Sequence, residues 1–167
     1  MAKKLLIVRH AKSDWGEAGL KDFDRPLNAR GKKNAPEMGK RLLKKGIKPD
    51  AIISSPALRA ITTCKIISGE LGFENSIVLE PKIYEASCHT LLSIINNFNN
   101  TDDLVALFGH NNGITDLAIY LSDADIFNIP TCGMVLIEFP FDDWKVVSKS
   151  TGNVLFFDSP KSLPGSV

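Results

Sequence analysis

The sequence predicts an α/β protein of three layers, with helices on both faces of a mostly parallel sheet and antiparallel strands toward the C-terminal end. Three observations predict it. Short apolar runs alternate with helix-length amphipathic stretches from residue 4 to residue 121. After Pro130 the pattern changes to β-rich segments flanking turn residues. The length of 167 residues and a hydrophobic content of 44% suit one soluble domain with one substantial core.

Residues 4–8 read as a buried strand, because they are continuous, apolar and short. A polar loop follows through Ser13, Asp14 and Gly16 to Pro26. Asn28 to Lys45 reads as a helix with Met38, Leu42 and Leu43 near one face, and Gly46 supplies its stop. Pro36 is awkward inside it, since an interior proline removes a hydrogen bond; a helix starting near Ala35 would put that proline in the first turn. Ala51-Ile52-Ile53-Ser54 is a second strand, and Ser55-Pro56 reads as an N-cap followed by proline at the first helical position. Leu58, Ile61, Ile66 and Leu71 continue at helical spacing until Gly72.

Ile77-Val78-Leu79 is a third strand, and a helix from His89 to Phe98 precedes a fourth at 104–108. Another helix runs from Asn112 to Leu121. Met134–Phe139 and Trp144–Val147 read as a hairpin around Pro140 and Asp142-Asp143, with a further strand at 154–157. The organisation is thus one domain over residues 1–158. A tail at 159–167, rich in Ser, Pro and Gly, is expected to be loosely ordered.

Charge and cysteine usage narrow the partners. The 20 basic and 19 acidic residues give a net charge of +1, which offers no long-range attraction to nucleic acid or an acidic membrane. Basic residues in Arg30-Gly31-Lys32-Lys33 and around Lys40, Arg41, Lys44 and Lys45 read as the solvated face of one helix. Cys64, Cys88 and Cys132 are odd in number and lack CxxC spacing, so a disulfide framework is not expected and a reducing cytosol fits. No apolar run reaches the roughly 18 to 20 residues of a membrane span, and the N-terminal run is too short for a signal peptide. The expected location is cytoplasmic.

The chemistry collects at strand ends. In a right-handed, mostly parallel sheet the C-terminal loops of the strands share one edge, where ligands bind. Arg9-His10 follows the first strand, Ser54 to Arg59 the second, Glu85 the third and His110 the fourth. Two of the three histidines therefore sit directly after apolar strands. Two imidazoles, two guanidiniums and a carboxylate form a kit for phosphoryl transfer. Arginine matches phosphate oxygens bidentately, and Arg59 would also lie near free N–H groups at a helix start. One neutral imidazole can attack phosphorus, the other can bind the equatorial oxygens, and an acid can protonate the leaving group.

Taken singly, each residue has a blander use: a structural histidine, a surface arginine, a solvated Glu85. Convergence on one edge argues for a shared anion site. A zinc site would use His10 and His110, but Arg9 would repel the dication and no cysteine pair completes a tetrahedron, so no metal is expected. Neither GxxxxGK[ST] nor GxSxG occurs. His89 reads as a surface residue at a helix start.

Val8-Arg9-His10-Ala11-Lys12-Ser13, Arg25-Pro26-Leu27-Asn28-Ala29-Arg30-Gly31, Ser54 to Thr63 and Gly109-His110-Asn111 resemble the histidine phosphatase superfamily. The match is nearest its SixA-type phosphohistidine phosphatase branch and covers residues 3–158, including Ile129-Pro130-Thr131-Cys132. The resemblance implies a phosphoglycerate mutase-like fold, no cofactor, and His10 as the phosphorylated nucleophile. Arg9, Arg59 and His110 would form the phosphate pocket, joined by Arg25 of the branch's Arg-Pro-Leu motif. Glu85 falls where larger relatives carry an acid, although Tyr84-Glu85-Ala86-Ser87 matches them loosely. The family usually has glycine where this chain has Ala11.

The implied activity is a metal-independent phosphatase acting on phosphohistidine, with a phosphohistidine-bearing signalling protein as partner. The alternatives are a phosphatase or mutase for a small phosphorylated metabolite, and a noncatalytic phosphate-binding module. The short stretch between Glu85 and His110 leaves little room for a lid, and an open pocket suits equally a phosphohistidine displayed on another protein and unselective action on small phosphoesters.

Overall fold

The strand β1, Lys3–Arg9, organises the molecule because its side chains are buried on both faces of the sheet. The computed structural model describes residues 2–15 and 18–162. Leu5 and Ile7 enter one core with Leu91 and Ile95, and with Ile114, Leu117 and Leu121. Leu6 and Val8 enter the other with Ala35, Met38, Leu42, Cys64 and Ile67. This alternation is the two-residue period of a strand covered on both sides, and it makes the three layers.

The remaining elements follow in chain order: α1 (Ala29–Lys44), β2 (Ala51–Ser54), α2 (Leu58–Leu71), β3 (Val78–Leu79), α3 (Cys88–Asn96), β4 (Leu104–Gly109), α4 (Gly113–Ser122), β5 (Met134–Phe139) and β6 (Asn153–Asp158). The sheet order is β3-β2-β4-β1-β5-β6. The first four strands in this order pair in parallel, while β5 and β6 are antiparallel. Helices α1 and α2 cover one face, and α3 and α4 cover the other. The α/β architecture expected from the periodicity is the one observed.

Three local expectations need correction. Helix α1 runs unbroken through Pro36 rather than starting beside it. Asn28 caps it by accepting a hydrogen bond from Gly31 N, and Gly31, Ala35, Met38, Gly39 and Leu42 are buried along it. The carbonyl that loses its partner to Pro36 belongs to Lys32, an exposed residue, so the missing bond falls on the wet side. Residues 144–146 form a 3-10 turn, not a strand. Asp143 captures the Lys145 N–H, while the wholly buried Trp144 donates through Nε1 to Asp102 O at 2.8 Å. The strand that follows β5 and pairs with it is therefore β6, while β1 is its antiparallel neighbour on the other side. Ser159, expected to begin a loose tail, is buried, and its carbonyl accepts from Arg41 at 2.9 Å. Residues 163–167 of that tail lie outside the described residues.

Among the described residues no helix is long and apolar enough to cross a membrane.

Candidate active site

Register brings the two histidines together. Arg9 of β1 pairs with Gly109 of β4, so the following residues, His10 and His110, leave neighbouring parallel strands at one level. Their rings lie 5.2 Å apart between centroids, tilted by 51°. His10 is held at both ends of its peptide: its N–H donates to Gly109 O at 3.2 Å, and its carbonyl accepts from Cys132 N at 2.9 Å. The next N–H, of Ala11, donates to Thr63 Oγ1 at 2.9 Å. Helix α1 presses against the following turn at Gly31, where a Cβ would stand 2.2 Å from the Lys12 carbonyl oxygen. Only glycine allows that approach.

The His10 ring has one chemically distinct nitrogen on each side. Nδ1 is 2.8 Å from Ala11 O, and a carbonyl can only accept, so Nδ1 carries the proton. The neutral ring then presents a bare lone pair at Nε2. Burial lowers the His10 pKa to about 3, and the charges of His110, Arg59 and Arg9 push the same way against the Ala11 bond. Near neutral pH this imidazole is an uncharged nucleophile.

His110 is arranged differently. Its Nε2 lies 2.7 Å from Ser55 Oγ, a hydroxyl that also accepts from Ala57 N at 3.2 Å. The hydroxyl can donate to a bare Nε2 or accept from a protonated one, and in either case it fixes the orientation of the ring. Burial, followed by Arg59, lowers the His110 pKa to about 4. Ser55 was expected to cap the helix, but α2 starts at Leu58 after Ala57, and no side chain caps it. Ser55 instead orients the second imidazole.

Arg59 leaves the first turn of α2, as expected, and is only 6% exposed. It donates from NH1 to Asp22 O at 2.6 Å and from NH2 to Asp22 Oδ2 at 3.0 Å. Arg9 donates to Ile129 O at 3.1 Å. Burial and the Arg59 charge lower its pKa. Arg9 Nε, Arg59 Nε and His110 Nδ1 are buried and have no protein partner. Buried polar nitrogens without a partner are costly, and oxygens of an anion would satisfy the guanidinium N–H groups among them. Arg9, His10, Arg59 and His110 line one cavity of about 330 Å³, together with Lys12, Ser13, Trp15, Arg25, Asn111 and Thr131. A larger cavity of about 800 Å³ lies against β2 and α3 and contains none of the four.

Arg25 joins this pocket. It donates to Asp22 Oδ1 at 2.9 Å, to Asp14 O at 3.3 Å and to Ser13 Oγ. Its guanidinium carbon lies 3.4 Å from the centroid of the Trp15 ring. Glu85 does not join it. Glu85 is exposed, has φ 57° and is not among the lining residues. The preceding Tyr84 reaches the site instead: its ring is 5.6 Å from His110, edge to face, and its hydroxyl donates to Asp22 Oδ2 at 2.6 Å.

Asp22 is the carboxylate beside the pocket that the sequence reading did not single out. It binds Arg25, Arg59 and Tyr84 at once. The Tyr84 hydroxyl first, then Arg25 and Arg59, hold its carboxyl well below the usual range, while the same bond pushes Tyr84 up to about 12. The clue was its place three residues before Arg25, the spacing of an ion pair across one turn. Among the described residues, no group of three or more His, Cys, Asp or Glu gathers as it would to hold a metal.

Comparisons with known proteins identify the family. The family model described as Histidine phosphatase superfamily (branch 1) matches residues 5–93. An uncharacterized chloroplastic protein of Arabidopsis thaliana is 30% identical, covering 87% of this chain and 70% of that protein. The mitochondrial serine/threonine-protein phosphatase Pgam5 of Drosophila melanogaster is 36% identical over 47% of this chain, which spans only 26% of Pgam5. The solved SixA structure from Agrobacterium tumefaciens superposes with a TM-score of 0.83 at 25% identity, covering 96% of this chain and 99% of that one. The chain belongs to the histidine phosphatase superfamily, branch 1.

Proposed function

We propose that the chain is a metal-independent phosphatase that removes phosphate from phosphohistidine on a protein, through a phosphorylated His10. The observation that carries this reading is the state of the His10 ring: Nδ1–H tied to Ala11 O, Nε2 bare, and the imidazole uncharged near neutral pH. In the first step Nε2 attacks phosphorus and the bond to the substrate imidazole breaks, its electron pair leaving with that nitrogen. Arg9, Arg59, Arg25 and His110 bind the phosphoryl oxygens as charge shifts. In the second step water attacks the phosphoryl group on His10, releasing inorganic phosphate and restoring the ring.

The substrate class rests on the leaving group. Among the described residues that line the pocket, none is Asp or Glu. Asp22, the nearby carboxylate, is held ionised and has no proton to donate. An alkoxide leaving group needs an acid, whereas a protonated imidazole leaves without one. The likeness to SixA supports the same choice, while the likeness to Pgam5 supports a serine or threonine phosphoprotein. The free Cys64, Cys88 and Cys132 support a reducing compartment, and we place the chain in the cytoplasm.

The test is a panel of a phosphohistidine protein, a phosphoserine peptide and sugar phosphates, assayed with wild type and His10→Ala in the presence and absence of EDTA. The phosphohistidine protein should give the highest kcat/KM, His10→Ala should be inactive, and EDTA should change nothing. A preference of about a hundredfold for a sugar phosphate, about 2.7 kcal/mol of discrimination, would overturn the substrate assignment.

A further inference from the structure

Displacement by His10 Nε2 requires the leaving group to depart on the side of phosphorus opposite the ring. His10, Arg59 and His110 form a floor only 7%, 6% and 9% exposed, so that side is the mouth of the pocket. Trp15 lines the mouth and is 74% exposed. Its neighbours there, Lys12, Ser13, Asn111 and Thr131, are polar; the indole is the one broad apolar surface among them.

Trp15 is also held in place. Arg25 lies over the ring at 3.4 Å, and Arg25 is itself fastened to Asp22, Asp14 and Ser13. A guanidinium on one face anchors the indole by charge-to-ring attraction. The high exposure leaves most of the ring's remaining surface open. A flat, pre-ordered aromatic surface at the leaving-group side suits a planar leaving group, which can stack on it, and gives little to a flexible alkyl one.

We infer that Trp15 is a specificity-determining residue that stacks the planar leaving group, the imidazole of phosphohistidine, as it departs from phosphorus. This deepens the phosphatase reading of the same pocket and rests on it. Arg25 then acts twice, as a phosphate ligand and as the support of the platform.

The experiment compares wild type, Trp15→Ala and Trp15→Phe. The readout is the ratio of kcat/KM on a phosphohistidine peptide to that on the matched phosphoserine peptide. Comparing this ratio between variant and wild type cancels the intrinsic reactivity of the two bonds. Trp15→Ala should lower it about tenfold, equal to about 1.4 kcal/mol, and Trp15→Phe should restore it to within about twofold of wild type. A ratio unmoved in Trp15→Ala, or lost equally in Trp15→Phe, overturns the inference. A second measurement separates this from the phosphatase reading: calorimetric binding of phenyl phosphate and methyl phosphate to His10→Ala, with and without Trp15→Ala. The preference for phenyl phosphate should fall about tenfold when Trp15 is removed, and an unchanged preference overturns the platform. Wild type that hydrolyses none of the phosphopeptides would instead sink the phosphatase reading, leaving the binding ratio to judge Trp15.

Discussion

The floor and the rim of the pocket are built by different means. The floor residues Arg9, His10, Arg59 and His110 stand at the ends of β1 and β4 or in the first turn of α2, and backbone bonds to Gly109 and Cys132 fix the His10 peptide. The rim residues Trp15 and Arg25 come from the loop between β1 and α1 and stack on each other, and Asp22 of the same loop holds Arg25 from outside the lining. The lesson is a division of labour. Sheet register sets the histidine pair, because it cannot shift without moving both rings; in the proposed reaction the loop side chains would set which leaving group is accepted.

The sharpest blow to this contrast is on the floor. Arg59→Ala should lower kcat/KM by about a hundredfold to a thousandfold, since it removes a preorganised donor from developing charge. Steady-state kinetics check it, and a loss below about threefold would move Arg59 out of the phosphate site.

A second test reads the floor by pH. The His10 ring should stay neutral, with its proton on Nδ1, until the pH approaches its lowered value of about 3, far below the ordinary 6.5. NMR titration of the ring nitrogens checks this; a midpoint near 6.5 would contradict the buried, cation-flanked environment. The sign for stability follows. Between about 6.5 and 3 the unfolded chain takes up a proton that the folded ring refuses, so folding weakens as pH falls through that window.

The rim should yield smaller effects. Asp22→Asn removes the charge that holds Arg25, Arg59 and Tyr84, and kcat/KM should fall about tenfold through misplacement of the two guanidiniums. The Tyr84 hydroxyl should at the same time titrate below its value of about 12, moving toward the ordinary value of about 10. A spectrophotometric titration of Tyr84 reads that change, which a merely destabilised variant would not produce selectively. The smallest expected effect is at Glu85. Glu85→Gln should alter turnover of phosphohistidine by less than about twofold, because the exposed carboxylate stands outside the pocket. A hundredfold loss would restore it as the acid.

Much of the floor was legible because strand ends are legible. Continuous apolar runs fix β1 and β4, and the parallel sheet does the rest for His10 and His110. The rim was not. Asp22 lies in a polar loop with no periodicity, and its role exists only once Arg25, Arg59 and Tyr84 reach it from separate elements. Glu85 differs: it follows β3 as expected, but it is exposed and outside the pocket lining, and its neighbour Tyr84 is the residue against His110. Pro36 misled because propensity is local, whereas the burial of Ala35, Met38 and Leu42 that carries α1 through it is tertiary.

The claim on which the account turns is that His10 Nε2 bonds to phosphorus. A rapid acid-free quench of enzyme turning over ³²P-labelled phosphohistidine protein, followed by peptide mapping, measures this directly. The account predicts label on His10 that appears and decays at rates matching turnover and is absent from His10→Ala. Steady turnover with no label on His10 would contradict it.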